Sequence, residues 1–315
     1  FASLYPSIIK TRNISYETVC CCHEECKHNI IPYTKHWSCT KKIGMASLLI
    51  GSLKELRVNH FKVLSKTSQT QKERDINNTI AQALKVFLNA SYGVIGAETF
   101  SLYFLPTAEA VTAVGRDIIS KTIETAKSVS LPVLYGDTDS VFVHKPTQEQ
   151  IDYLIDFCKD HYSIDLEIDK EYKYLVLSDR KKNYFGVKKD GSLDIKGLSG
   201  KKSNTPPFVK RLFNDVLEKI KPIENMSDFY EVKQEVRYVI KNVIDNFDTI
   251  PLDQLSFKVM IAKDPSEYRM KPQAVKAGEQ LGDVQKGQFV EFVKTWKDPK
   301  VCPLSMATRS DIDKQ

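Results

Sequence analysis

Two carboxylates, Asp137 and Asp139, lie one residue apart in the stretch Tyr-Gly-Asp-Thr-Asp-Ser at 135–140. Short apolar runs flank this stretch at 131–134 and 141–143, so we predict a β-hairpin that turns at the aspartates. Residues two apart on an extended strand project to the same face, and carboxylate oxygens are ligands that Mg²⁺ prefers. The alternative interpretation is an ordinary turn, because Asp side chains hydrogen-bond the local backbone.

Soft metal ligands crowd the segment 20–39, which reads Cys-Cys-Cys-His-Glu-Glu-Cys at its start and His-Trp-Ser-Cys at its end. Two short ligand pairs joined by a loop are typical of structural zinc sites. We predict that the ligands are Cys22, Cys26, His36 and Cys39. The same segment offers four further candidates, Cys20, Cys21, His23 and His28. The alternative is a polar surface insertion with free thiols, since seven Cys without an export signal indicate a reducing compartment.

Positive charge is concentrated between Asp179 and Arg211, where ten Lys or Arg residues stand against three acids. The chain as a whole carries a formal charge of +6. Such a segment suits contacts to phosphates, although a solvated face is the alternative interpretation. No apolar run approaches the length of a membrane span, which excludes a membrane-spanning class on hydropathy.

The elements that would position these residues alternate between strands and amphipathic helices. We predict a strand at 1–5 that turns at Pro6, and helices at 46–65 and 75–92 joined by a polar tip. The chain then returns to the sheet at 96–106. Further helices are expected at 107–128, 147–162, 208–219 and 226–247, with strands at 166–169 and 172–177. An antiparallel sheet backed by two helices indicates the α+β class.

The helix predicted at 75–92 places Lys85, Asn89 and Tyr92 on one face, because they are four and three residues apart. Gly93 either stops this helix or allows another group to approach its backbone closely. From the pattern alone, Lys85 and Arg57 would be solvent-facing charges.

Four motifs occur in an order that resembles family B DNA polymerases, most closely the archaeal replicative members. They are Ser-Leu-Tyr-Pro-Ser-Ile at 3–8, Lys-x-x-x-Asn-x-x-Tyr-Gly at 85–93, the hairpin stretch at 135–140 and Lys-Lys-Asn-Tyr at 181–184. Departures from the family pattern are Phe61 and Asn183 in place of basic residues and Ala90 in place of Ser. The resemblance implies a DNA-directed DNA polymerase that uses two Mg²⁺ ions, primer-template DNA and dNTPs in the cytoplasm, near the nucleoid.

The resemblance also implies a role for each matching residue. Asp139 and Asp137 would be catalytic, with Asp139 and the Phe1 carbonyl as Mg²⁺ ligands. Tyr5 would lie under the sugar and exclude ribonucleotides. The residues that would contact the dNTP are Ser3, Leu4, Tyr5, Arg57, Lys85 and Asn89. Those that would contact the nascent base pair or DNA are Tyr92, Gly93, Thr138, Lys181, Lys182 and Tyr184.

The implied architecture is a right hand, with a ferredoxin-like antiparallel palm, two-helix fingers and a mostly helical thumb. We assign 1–19 and 96–180 to the palm, 20–45 to the Cys/His-rich insertion, 46–95 to the fingers and 181–315 to an incomplete thumb. In the family an Asp immediately precedes the position of Phe1, so we expect these residues alone to be inactive and to belong to a longer protein.

Two other functions remain open from the sequence. One is an inactive, polymerase-derived DNA-binding or scaffolding subunit. The other is half of a split polymerase, with a second polymerase polypeptide as partner. Retention of Asp137, Asp139 and Lys85 argues against an inactive subunit. A sliding clamp is a further expected partner.

Overall fold

The structure is a computed structural model that describes residues 1–198, 200, 202–282 and 284–312. It divides into two compact units, Phe1–Asp169 and Lys170–Gln315. Helices and antiparallel sheets occur in the chain, as the α+β prediction requires. Among the described residues, no helix is both long enough and apolar enough to cross a membrane.

The first unit is mainly helical and is built around helices α1 and α5. Apolar side chains such as Ile8 and Ile9 on α1 and Val111 and Ile118 on α5 are fully or almost fully buried in one core cluster. Its elements are α1 (Leu4–Thr11), α2 (Met45–Glu55), a π-helical segment (Leu56–Phe61), α3 (Lys62–Thr67), α4 (Gln71–Ile95), α5 (Leu105–Ser128), β1 (Val133–Asp137), β2 (Ser140–Val143) and α6 (Gln148–Tyr162).

The predicted strand at 1–5 is wrong, because Leu4 to Thr11 form helix α1. Pro6 lies in the first turn of this helix, where the missing N–H would have had no intrahelical partner. Leu4, Ile8 and Ile9 then fall at helical spacing and are buried. The burial of this apolar face therefore outweighs the preference for an extended backbone that Pro6 imposes on Tyr5.

The predicted helical pair is present, but its first member is interrupted. α2 ends at Glu55, and the chain continues through the π-helical segment into α3. The second member, α4, begins after a capping box formed by Thr70 and Glu73 and runs to Ile95. Gly93 lies inside α4 and does not stop it, since Gly96 occupies the C-cap.

The predicted hairpin and the helices on either side of it are confirmed as β1, β2, α5 and α6. β1 and β2 pair only with each other within the described residues. The return to the sheet expected at 96–106 and the strand expected at 166–169 are not observed, and both segments lie within the described residues. Leu166 instead packs against the small apolar cluster of Ala126, Leu131 and Leu154, which it reaches without ladder hydrogen bonds.

The second unit contains two three-stranded antiparallel sheets, ordered β3-β4-β5 and β6-β7-β8. The helices predicted at 208–219 and 226–247 are observed within two residues at each end. The elements are β3 (Tyr172–Leu177), β4 (Tyr184–Lys188), β5 (Leu193–Lys196), α7 (Pro207–Ile220), α8 (Met226–Asp245), α9 (Leu252–Leu255), β6 (Phe257–Met260), α10 (Gln273–Gln280), β7 (Phe289–Lys294) and β8 (Val301–Pro303).

Candidate functional site

The hairpin turn carries the two predicted catalytic carboxylates. Asp137 pairs with Ser140, which leaves Thr138 and Asp139 as a two-residue loop. Thr138 has φ 45°, in the positive region that primed hairpin turns require. Its hydroxyl donates to the Asp137 carboxylate at 3.1 Å, so Asp137 has the local hydrogen bond expected of a turn aspartate. Asp137 is half-buried, whereas Asp139 is exposed and its carboxylate faces solvent.

The N-terminal end of α1 lies beside this turn. The backbone nitrogen of Phe1 donates to the Asp139 carbonyl oxygen at 2.7 Å. The Ala2 N–H donates to the Asp165 carbonyl at 3.1 Å. The first bond holds Phe1 against the hairpin turn, and the second holds Ala2 against the segment that follows α6.

Ser3, Leu4 and Tyr5, the predicted triphosphate contacts, form the start of α1. Ser3 is the N-cap with φ 54°, and no side chain caps the first turn. The Ser3 carbonyl accepts hydrogen bonds from the Ser7 N–H at 3.0 Å and the Ser7 hydroxyl at 2.9 Å. The first N–H groups of a helix lack intrahelical partners and favour anions. This helix start can therefore receive phosphate oxygens.

Tyr5 and Tyr92 connect the start of α1 to the end of α4. Their ring centroids are 4.8 Å apart at an interplanar angle of 58°. Burial raises the pKa of Tyr5, and the negative charges of Tyr92 and Asp139 raise it further. The hydroxyl of Tyr5 is therefore neutral at physiological pH, and its ring lies close to the hairpin carboxylate.

The predicted phosphate-binding cations lie on α4 and on the π-helical segment that precedes α3. Lys85 and Asn89 are exposed on α4, one turn apart. Arg57 is half-buried in the π-helical segment, and its Nε donates to the Ala81 carbonyl at 3.0 Å. Ala81 is one helical turn before Lys85, so Arg57 contacts the turn of α4 that precedes Lys85. π-Helical segments are often found at functional sites.

The second unit holds the Lys-Lys-Asn-Tyr motif in the connection between β3 and β4. Lys181 and Lys182 are exposed, and Lys182 has φ 55°. Tyr184 is buried and begins β4, paired with Leu177 and with Lys196 of β5. A Cβ on Gly197 would lie 2.1 Å from the Lys182 carbonyl oxygen, so this turn packs too closely for any side chain. Lys201, which the sequence adds to the basic segment, lies outside the described residues.

The Cys/His segment forms a compact cluster, but its members differ from the predicted ligands. Cys21, His23, Cys26 and Cys39 each offer one ligand atom, and these atoms all lie within 4.8 Å of one another. It is the one group of three or more potential metal-ligating residues in the described part of the chain. Asp137 and Asp139 belong to no such group there.

Two of the four predicted zinc ligands, Cys22 and His36, lie outside this cluster. Cys22 is exposed. The His36 ring instead lies 2.8 Å from the Glu109 carboxylate on α5 and 3.5 Å from the Cys20 sulfur. Cys20 has φ 55°, and this left-handed residue redirects the backbone just before Cys21. Spacing alone could not show which of three consecutive cysteines faces inward.

Hydrogen bonds surround the Cys26 sulfur. The Thr40 N–H donates to it at 3.4 Å, and the Thr40 hydroxyl lies 3.5 Å away. These contacts lower the pKa of Cys26 to about 7. The Cys39 sulfur lies 3.9 Å from that of Cys26 and 3.5 Å from Nδ1 of His23. Cys26 is thereby shifted toward the thiolate, the form of Cys that binds metals, whereas burial raises the pKa of Cys21.

Sequence reasoning also missed two contacts that shape the site. The Tyr5–Tyr92 ring pair was not expected, because it depends on α1 being a helix. Lys54, on α2, is mostly buried with its ammonium 3.9 Å from Asp165, and burial lowers its pKa. The sequence could have indicated the burial of Lys54, because this charged residue lies on the apolar face of a predicted helix.

Comparisons with known proteins agree on one family. A sequence model of DNA polymerase family B matches residues 1–279. DNA polymerase 1 of Sulfurisphaera ohwakuensis is 40% identical over 324 residues, which cover 99% of this chain and 37% of that protein. The DNA polymerase of Archaeoglobus fulgidus is 34% identical over 283 residues, covering 88% of this chain and 35% of that protein.

A solved structure is similar over the whole chain. The family B DNA polymerase from Pyrobaculum calidifontis superposes with a TM-score of 0.70 at 26% identity, covering 100% of this chain and 42% of that one. The chain therefore spans about two fifths of the length of the relatives that it matches.

Proposed function

This chain belongs to family B of the DNA polymerases, and on that premise we propose that the protein is a DNA-directed DNA polymerase. The resemblance inferred from the motifs and the α+β fold class are thereby confirmed. The reaction would be in-line attack of a primer 3′-hydroxyl on the α-phosphate of a dNTP. The observation that carries the proposal is the meeting of Asp139, the start of α1, Tyr5 and Tyr92 in one place.

Asp139 is the residue best placed to hold a catalytic metal. Its carboxylate is exposed, and carboxylate oxygens suit the hard Mg²⁺ ion. The Phe1 carbonyl would add a backbone ligand, and Asp137, already engaged by Thr138, would support the turn. A further carboxylate would be needed. When bound, two Mg²⁺ ions lower the pKa of the 3′-hydroxyl and neutralise charge on the triphosphate.

The incoming nucleotide would lie between the start of α1 and the outer face of α4. The free N–H groups at Ser3, Leu4 and Tyr5 would bind phosphate oxygens. Lys85 on α4 and Arg57, which contacts the preceding turn of α4, would neutralise the triphosphate, with Asn89 one turn after Lys85. Such groups are most effective when they stabilise charge that grows in the transition state.

Contacts to DNA would come from both units. Tyr92, Gly93 and Thr138 in the first unit would face the nascent base pair, and Lys181, Lys182 and Tyr184 in the second would bind the duplex. Phosphate contacts of this kind position DNA without reading its sequence, as template-directed synthesis requires. A sliding clamp and a second polymerase polypeptide stay predictions, as do the domain boundaries.

Substitution of Asp139 tests the function. In the full-length protein, Asp139→Asn keeps the size of the side chain and removes its charge, so a metal would lose its ligand. We expect primer extension to fall at least 10³-fold, the order of effect of removing one strong electrostatic contact to a transition state. Binding of primer-template DNA, measured by fluorescence anisotropy, should change less than about threefold, well under 1.4 kcal/mol.

Asp156→Asn is the matched control, because Asp156 is an exposed carboxylate on α6 of the same unit. It should leave extension unchanged. If Asp139→Asn extends primers at the wild-type rate, the metal assignment is wrong. If the unsubstituted full-length protein binds DNA and fails to extend it with Mg²⁺, the inactive DNA-binding subunit is the better description.

A further inference from the structure

The four buried or half-buried side chains of the Cys/His cluster have the spacing of a tetrahedral metal site. With Zn–S near 2.3 Å and Zn–N near 2.05 Å, a tetrahedron has edges of roughly 3.8 Å between sulfurs and about 3.6 Å between sulfur and nitrogen. The Cys26–Cys39 separation is 3.9 Å, and the Cys39–His23 separation is 3.5 Å. All remaining separations are within 4.8 Å, so a small contraction would complete the site.

We propose that Cys21, His23, Cys26 and Cys39 bind a structural Zn²⁺ ion. Three thiolates and one imidazole form a soft donor set that selects zinc over Mg²⁺ or Ca²⁺. All four coordination positions are filled by protein atoms, and the three sulfurs are buried. A closed site of this kind leaves no position for substrate, so the ion has a structural role that is separate from the polymerase reaction.

The groups around the cluster suit a charged thiolate site. The Thr40 N–H points to the Cys26 sulfur, as the outer groups of metal sites commonly do. Lys41, two residues after Cys39, forms an ion pair with Glu25 at 3.0 Å, the residue next to Cys26. Trp37 covers the cluster and donates its indole N–H to the Cys21 carbonyl at 3.1 Å.

The site lies between α1 and α2, and its backbone is tied to both. The Asn13 side chain, just after α1, donates to the carbonyls of Cys39 at 2.8 Å and Lys42 at 2.9 Å. Its amide oxygen accepts from Gly44, the N-cap of α2, at 2.8 Å. Regular structure between Thr11 and Met45 is limited to one 3₁₀ turn and two isolated bridges. The ion would therefore stabilise the connection that fixes α2, and through it Arg57, relative to α1.

Metal content tests the ligand set directly. Full-length protein purified with reductant and without chelator should contain about one Zn²⁺ per chain beyond any other zinc site, as expected for one four-ligand site. Cys26→Ser and His23→Ala should each lose that equivalent. Cys22→Ser and His28→Ala are matched controls from the same segment, exposed and outside the cluster, and should retain it. Loss of zinc from Cys22→Ser would overturn the ligand set, and wild type with less than about half an equivalent would overturn the site.

A second measurement uses the wild-type protein, so it tests the site even if the ligand variants do not fold. Cobalt exchanged into the wild-type protein should give the visible absorption of tetrahedral Co²⁺ and the near-ultraviolet bands of cobalt–thiolate bonds. Removal of the metal with a chelator should lower the midpoint of thermal unfolding, and added Zn²⁺ should restore it. A Cys26–Cys39 disulfide, seen by mass spectrometry of protein purified under reducing conditions, would contradict the proposal, as would octahedral cobalt spectra.

Discussion

The Tyr5 side chain, at the start of α1, is held by contacts on two sides, so its ring has a fixed position. Its ring lies 4.8 Å from the Tyr92 ring, measured between centroids. On α5, a Cβ at Gly115 would lie 3.4 Å from Cε1 of Tyr5, so the glycine leaves just enough room for the ring. Burial raises the pKa of the Tyr5 hydroxyl, and the nearby Asp139 carboxylate raises it further. A sugar bound beside Asp139 would meet this ring, and the ring has little freedom to move away.

Tyr5→Ala should therefore relax sugar selection in the full-length enzyme. Removing the ring opens space where a 2′-hydroxyl would otherwise clash, so we expect ribonucleotide incorporation relative to deoxyribonucleotide to rise roughly tenfold or more, about 1.4 kcal/mol of discrimination. The measurement is the ratio of kcat/KM for a ribonucleotide and its matching deoxyribonucleotide. Tyr5→Phe is the control, because it keeps the ring against Tyr92 and should keep the selection. Equal ratios for wild type and Tyr5→Ala would contradict the role of the ring.

At the scale of elements, Gly93 is an unusual residue in the interior of α4. The helix continues through it to Ile95, so it has no capping role. A Cβ at this position would meet no described atom within 4 Å. Glycine in a helix interior costs about 0.5–1 kcal/mol relative to alanine. Glycine at this position therefore lowers the stability of α4, and no neighbouring atom of this unit would clash with a larger side chain. This supports the proposal that DNA approaches the backbone closely at Gly93.

Gly93→Ala should accordingly change the stability of the protein and its primer extension in opposite directions. The variant should raise the free energy of unfolding by roughly 0.5–1 kcal/mol and slow primer extension, because a methyl group would stand where the nascent base pair is proposed to lie. Thermal unfolding and single-turnover extension measure the two effects. Asn78→Ala, exposed on the same helix, should add helix stability and leave extension unchanged. A Gly93→Ala enzyme that is more stable and equally fast would remove Gly93 from the DNA contacts.

Elements were predictable where one pattern dominates the local sequence. The hairpin, α4, α5 and α6 have clear periods and turn or cap signals, and all four are observed. Helix α1 was not predicted. A proline disfavours a helical conformation for the residue before it, yet it is tolerated within the first turn of a helix, so Pro6 alone does not distinguish the two cases. The π-helical segment containing Arg57 has no signal in the sequence. Tyr5 and Lys85 were singled out only through the motif resemblance, and the contact of Tyr5 with Tyr92 joins residues far apart in the chain.

The proposed zinc ligands show the same limit within one segment. Spacing identified Cys26 and Cys39, yet Cys21 and His23 replace Cys22 and His36 in the cluster. The choice depends on a left-handed residue at Cys20 and on the contact between His36 and Glu109, which is 73 residues away. Neither is encoded in the distance between ligands along the chain.

At the scale of the whole molecule, charge is divided unequally between the two units. Residues 170–315 contain 28 Lys and Arg against 21 Asp and Glu, a formal charge of +7. Residues 1–169 contain 18 against 19, a formal charge of −1. The positive surplus therefore belongs to the second unit. Phosphate neutralisation that is independent of sequence should come mainly from there, while the first unit supplies the residues proposed for chemistry.

Lys181→Ala in the full-length protein tests this division of roles. Each phosphate contact that is lost should reduce the slope of log K against log salt by roughly 0.9 for duplex DNA, because fewer counterions are released on binding. Titrations of primer-template DNA at several salt concentrations give the slope. Lys233→Ala on α8 is the control: it is an exposed lysine of the same unit outside the basic segment, so it removes the same net charge. If both variants change the slope equally, the effect comes from net charge and Lys181 makes no specific contact. If only Lys181→Ala does, and its kcat with saturating DNA is unchanged, the second unit binds the duplex at this motif and leaves catalysis to the first.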